Sequence, residues 1–274
     1  MRMKRRYPVS FAASVVLLLL FVLLALVPPP HDPNAQNLQK RFVPPSFMEG
    51  GESAYLLGTD YLGRDVASRI MRGMSISFFI ALVGTVIGAI VGITLGYLAA
   101  RFKGIVDELI LMGIDIQASL PFMLLAIAFL SMFDQSFWVI VILLGFAGWE
   151  KYARLTRALT LSAYQDGYCV AVQSLGGRPK RVFFRHILPN ISSALIVNMT
   201  LNFPGTMIAE SSRSFLGLGI QPPLISLGRL LGEGRVYLLT SWWITVFPGV
   251  VIFLSTLAMS IIGDRVRDHL GVRS

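Results

Sequence analysis

The chain has 274 residues, of which 54% are hydrophobic and only 14% charged, with a mean hydropathy of +0.67. A soluble domain carries about 25% charged residues, so a water-soluble globule is not the expectation; the composition is that of an integral membrane protein. The 24 Lys and Arg outweigh 15 Asp and Glu to give a net charge of +9, which the apolar runs assign to membrane orientation and not to nucleic acid.

A helix needs about 20 apolar residues to cross roughly 30 Å of hydrocarbon. Reading from charge to charge gives six runs: Tyr7–Pro30, Gly73–Ala100, Ile116–Phe133, Gln135–Trp149, Ile187–Ala209 and Val236–Gly263. The first follows the cationic stretch Met1–Arg6. It is too long for a signal peptide, and Val27-Pro-Pro-Pro30 offers no small-residue cleavage site, so an uncleaved anchor is expected. A connection from about His31 to Arg72 opens rich in proline (Pro28, Pro29, Pro30, Pro33, Pro44, Pro45) and should start extended. The second run carries Gly84, Gly88, Gly92 and Gly96, four residues apart and so on one helix face, where small residues let backbones approach. The fourth run has only 15 residues and must borrow a turn beyond Glu150. Asp115 and Glu210 lie near span ends; Glu210 has Arg213 at i+3, a spacing that suits an ion pair.

Six spans put both termini on one side. With that side inside, the inner segments hold 16 cationic residues and the outer ones 8, in line with the positive-inside rule. Both termini are therefore expected in the cytoplasm. The most basic stretch, Glu150 to His186, is then an inner connection. Within it, Ala163 to Leu175 has the pattern of a short helix, Gly176-Gly177 supplies a stop, and Pro179 prevents continuation. Such a helix lying on the cytoplasmic face suits docking, not spanning.

No catalytic constellation is present: no phosphate-binding G-x-x-x-x-G-K-[ST], no H-E-x-x-H and no G-x-S-x-G. Gly217-Leu-Gly219 lacks the strand–turn–helix context of a dinucleotide site. Cys169 is the single cysteine, and the three histidines give no metal-ligand spacing. No catalytic, cofactor-binding or metal residue is assigned, and uphill transport by such a chain takes its energy from a partner or an ion gradient.

The inner segment resembles the signature of ABC-importer permeases, E-A-A-x₃-G-x₉-I-x-L-P. Val170, Ala171 and Val172 stand at the leading positions, Gly176 at the glycine, His186 at the isoleucine, and Leu188-Pro189 close the motif. The remaining landmarks resemble the C-type permease of the dipeptide, oligopeptide and nickel importers. They are Leu57-Gly-Thr-Asp-Tyr-Leu-Gly-Arg-Asp-Val-Ala-Ser-Arg69, Asp115-Ile116 with Pro121, Tyr152-Ala-Arg154 with Arg157, Glu210, Ser214-Phe-Leu-Gly-Leu-Gly219, Gln221-Pro-Pro223, Phe247-Pro-Gly249 and Gly263-Asp264 with Arg267-Asp268. Arg213, Leu224-Ile-Ser-Leu227 and Gly271-Val272 depart from that pattern.

The resemblance implies an all-α, six-span type I permease bundle in the bacterial cytoplasmic (inner) membrane. Residues 1–72 form the anchor helix and extracytoplasmic loop, 73–263 the permease domain, and 264–274 a cytoplasmic tail. It implies a second permease subunit, two cytoplasmic ATPases that carry ATP and Mg, and an extracytoplasmic solute-binding protein. This chain itself is a non-enzyme that binds no cofactor. The coupling helix falls at about residues 163–176, and the expected ATPase-contacting residues are Tyr168, Val170, Ala171, Val172, Gly176, Leu188 and Pro189. Peptides are the expected cargo, with a nickel or metal chelate as the alternative within the family. An ion-coupled carrier or channel using Asp115 or Glu210 is the rival from another class.

Overall fold

The computed structural model describes residues 9–133, 136–174, 176 and 178–270. The cationic start Met1–Arg6 and the tail from Gly271 lie outside the described residues. Among the described residues eleven α-helices follow one another: α1 (Val9–Leu26), α2 (Val66–Phe102), α3 (Gly104–Ser119), α4 (Phe122–Met132), α5 (Phe137–Gly145), α6 (Trp149–Ala163), α7 (Gly167–Ser174), α8 (Pro179–Val182), α9 (Leu188–Phe215), α10 (Leu227–Gly234) and α11 (Trp243–Leu270). Among the described residues there is no strand, only an isolated antiparallel bridge between Thr59 and Asp65.

Four of these helical stretches are long and apolar enough to cross a membrane: α1, α2, Pro179–Phe215 and α11. A fifth exists if α3 and α4 count as one span, but they meet at 96°. The expected straight run Ile116–Phe133 is therefore broken. Pro121 forces the residue before it out of the helical region, and Leu120 is extended at φ −92°, ψ 131°. The fourth run does not borrow its extra turn: α5 stops at Gly145, and α6 starts afresh at Trp149. Nine residues rise only about 14 Å. A Cβ at Gly145 would sit 2.5 Å from the side chain of Ile87, so the bare glycine is what lets the end of α5 lie against α2.

Other boundaries also moved. α2 starts at Val66 rather than Gly73: the boundary charge Arg72 is exposed within the helix, and Arg69 before it is paired inside the protein (below). α11 starts at Trp243, since Arg235–Tyr237 form a 3₁₀ turn. The connection between α1 and α2 has only one short helical turn, Leu38–Lys40, as its prolines predict.

The chain divides into two compact units. One comprises residues 1–82, 133–140 and 203–262. Its core gathers Ile70, Met74 and Ala81 of α2, Met207 of α9, Leu227 and Leu230 of α10, and Trp243 and Ile244 of α11. The other comprises residues 83–132, 141–202 and 263–274, with one cluster around Tyr97, Phe183 and Ile187 and another around Ile114, Trp149 and Ala153.

Candidate functional site

The basic stretch after α5 builds a folded platform from α6, α7 and α8. α6 buries Trp149, Tyr152, Ala153, Thr156, Thr160 and Ala163, a spacing of three and four that marks one helix face. That face meets the glycines of α2. A Cβ at Gly88 would lie 2.9 Å from the Gly145 carbonyl oxygen, one at Gly92 2.5 Å from Cβ of Tyr152, and one at Gly96 2.9 Å from Cβ of Thr156. From Gly88 to Gly96 the glycine face read from the sequence is thus a helix-packing seam, whose partners are the end of α5 and α6.

α6 does not run on into the predicted docking helix. Gln165 N–H donates to Ser162 O at 2.9 Å and Asp166 N–H to Ala163 O at 3.2 Å, closing a turn over Tyr164–Asp166. α7 then runs from Gly167 to Ser174, so the expected helix from Ala163 begins four residues late. Ala163 belongs instead to the end of α6. Past α7, Gly176 has φ +80°, a left-handed conformation that glycine adopts without a Cβ penalty. Arg178 is extended ahead of Pro179, which opens α8 at its first turn.

The chain then passes through one π-helical turn, Phe183–Ile187, in which Leu188 N–H donates to Phe183 O. Pro189 explains this turn: it has no N–H to donate, and its ring crowds the carbonyl four residues earlier. Widening the turn relieves that clash. The turn also places Val182, Phe183 and Ile187 side by side in the core, with Cys169 of α7 and Tyr97 of α2. The Tyr97 and Phe183 rings stack at 3.9 Å between centroids.

The seven predicted docking residues divide accordingly. Ala171, Gly176 and Pro189 are exposed. Val172 and Leu188 are half-buried and pack on the core, so they hold α7 and α9 in place rather than present themselves. Tyr168 and Val170 lie on α7, with side chains outside the described set.

In the other unit, the hallmark Leu57–Arg69 is a knot of charge. Arg69 donates Nη1 to Asp60 Oδ2 at 2.5 Å and Nη2 to Glu233 Oε2 at 2.8 Å, and Arg64 joins the same two carboxylates at 2.7 and 3.0 Å. Arg229 reaches Glu233 Oε1 at 2.7 Å. The Arg69 side chain is 2% exposed and that of Asp60 4%. Burial works against the Arg64 cation, but Asp60 and Glu233 more than offset it and hold the group above its ordinary value. Trp243 Nε1–H donates to Thr59 O at 3.1 Å, tying α11 to the same loop.

Glu210 is fully buried, and hydroxyls fill both its oxygens: Ser214 at 2.7 Å on Oε1, Ser77 at 3.1 Å and Ser211 at 3.3 Å on Oε2. Ser77 Oγ also accepts the Leu227 N–H at 3.1 Å. This joins α2, α9 and α10 at one point. Sequence spacing offered Arg213 as the partner of Glu210, and the Arg213 cation does feel the Glu210 charge; Ser214, at i+4, shares its helix face, whereas Ser77, 133 residues away, had no sequence signal.

Residues 92–273 match the family described as binding-protein-dependent transport system inner membrane component. The chain belongs to this family. The permease is 38% identical over 260 residues to the di/tripeptide transport system permease protein DppC of Pseudomonas aeruginosa (strain UCBPP-PA14), covering 94% of this chain and 86% of that one. It is 36% identical over 256 residues to the dipeptide transport system permease protein DppC of Escherichia coli (strain K12), covering 93% and 85%. Among solved structures, an inward-facing MetNI methionine ABC transporter chain is similar with a TM-score of 0.59 at 16% identity, covering 73% of this permease and 95% of that chain. The permease therefore has the helical fold of an ABC-importer membrane subunit and is an inner-membrane component.

Proposed function

We propose that this permease is one of two membrane subunits of an ATP-driven importer of di- or oligopeptides, with six spans and both termini in the cytoplasm. Its relatives named as dipeptide and di/tripeptide permeases support the cargo over a nickel chelate. A second permease completes the pathway, two cytoplasmic ATPases supply ATP and Mg, and an extracytoplasmic binding protein delivers the peptide. The permease itself does no chemistry. α5 counts as the fourth span and the bent pair α3–α4 as the third; that even count keeps the termini together.

The observation that carries the mechanism is α7: a short helix with an exposed Ala171, fixed from behind by buried Cys169 and ended by an exposed left-handed Gly176. A helix held on one side and bare on the other suits a cleft on an ATPase. Closure of the ATPases on nucleotide then moves α7 and drives the permease between inward- and outward-facing states. Glu210 and Asp115 take structural roles: the first is saturated by serines, and the second pairs with Arg154 at 2.8 Å.

The test is reconstitution. Vesicles holding this chain, its partner permease, the ATPases and the binding protein should take up labelled di-alanine only with hydrolysable ATP. Vesicles holding this chain alone should take up none under a proton or sodium gradient. Gradient-driven uptake by the chain alone would sink the proposal.

A further inference from the structure

Three residues, Tyr164–Asp166, connect α6 to α7. Main-chain bonds close them, and Cys169 N–H donates to Asp166 O at 3.0 Å. Cys169 and Ala163 share one core, so a push on α7 arrives at α6. One face of α6 is already pressed onto α2 along the glycine seam. α6 also lies along α3, where Ile114 packs with Trp149 and Ala153 and a row of polar contacts runs beside them.

Arg157 donates Nε to Asp107 Oδ1 and Nη2 to Asp107 Oδ2, both at 2.5 Å. This is a planar fork on a carboxylate, the geometry that fixes orientation as well as distance. The Arg157 side chain is 28% exposed and that of Asp107 17%. The pairing holds the Arg157 guanidinium above its ordinary value. Arg154 and Asp115 also pair, but at 51% and 71% exposure such a contact adds little. Nearer α5, Gln117 Nε2 donates to Phe146 O at 2.7 Å and to Glu150 Oε2 at 3.3 Å, and Trp149 Nε1–H donates to Gln117 Oε1. The half-buried fork is the strongest polar rung of this seam.

We propose that Asp107 and Arg157 are positioning residues that lock α3 to α6, so that α3 travels with the α6–α7 lever as a single strut. The proposal rests on the docking role of α7. α3 is a helix of 16 residues up to its break at Leu120–Pro121, about 24 Å long. Locked to α6, it carries displacement along that whole length. Without the fork, only the apolar packing of Ile114 on Trp149 and Ala153 and the weaker polar contacts hold α3 to α6, and part of the motion dissipates where the two helices meet.

The complete transporter, with all its subunits, provides the test. Asp107→Asn and Arg157→Gln should retain the ATPases and hydrolyse ATP near the unaltered rate, while di-alanine uptake per ATP falls about threefold to tenfold. Arg157→Lys, which keeps the charge and loses the fork, should fall between them and the unaltered protein. The exchange Asp107→Arg with Arg157→Asp should recover coupling. Spin labels at the exposed positions Met112→Cys and Ala158→Cys should report the same α3–α6 distance with and without ATP, and a broadened distance in Asp107→Asn. An unchanged uptake-per-ATP ratio in the single variants overturns the proposal. So does an α3–α6 distance that shifts with nucleotide in the unaltered pair, or loss of the ATPases from the single variants. Failure of the docking role looks different: Ala171→Asp would then bind the ATPases as well as the unaltered protein.

Discussion

Arg69 shows how a helix can carry a charge into the interior of the protein. It has Asp60 nine residues before it and Glu233 far beyond it. Taking away one member of a buried ionic knot leaves the others buried and uncompensated, at a cost of about 3–5 kcal/mol. Arg69→Met should therefore lower the melting temperature of the detergent-solubilised permease markedly, while the exposed Arg154→Met should leave it nearly unchanged. A thermal-shift comparison of the two variants checks this. The glycines of α2 belong to the same scale, but their face was legible because a spacing of four survives in one dimension. What the sequence left open was the surface they meet.

Prolines and glycines punctuate the elements, and each punctuation has a local cause. Pro121 breaks the third run, Pro189 widens a turn at the head of α9, and Gly176 stops the chain after α7. The short helix α7 was visible from these residues; its start was not, because Tyr164–Asp166 could continue α6 by propensity. Main-chain bonds and the burial of Cys169 decide for a turn. Two substitutions test α7 as an element. Ala171→Asp places a charge on the exposed face, and Gly176→Asp forces an L-residue into a left-handed conformation at a cost of about 1 kcal/mol. Both should abolish uptake while membrane insertion, followed by membrane fractionation, stays normal. Co-purification should show Ala171→Asp losing the ATPases.

At the scale of the molecule, the positive-inside bias makes a topological prediction that the helices alone do not. Cys169 is buried, so the native chain gives a quiet background for thiol labelling. In intact cells an impermeant maleimide should label Gln36→Cys, in the loop after α1. It should leave Lys180→Cys unlabelled until the membrane is opened. Labelling of Lys180→Cys from outside would reverse the orientation. The family and the membrane setting were legible here because they rest on composition and on motifs that keep their order along the chain.

Sequence by itself determined that the chain is an apolar, mostly helical membrane subunit, where its proline-rich connection lies, and where a short helix stops at Gly176. These follow from local chemistry: hydropathy over about 20 residues, the missing N–H of proline, the missing Cβ of glycine. Only the tertiary structure decided which charges are partners. Arg69 with Glu233 and Arg157 with Asp107 meet across long stretches of chain, as does Glu210 with the hydroxyl of Ser77. An ionic contact has no periodicity to leave in a sequence, so it becomes visible only once folding brings both groups to one place.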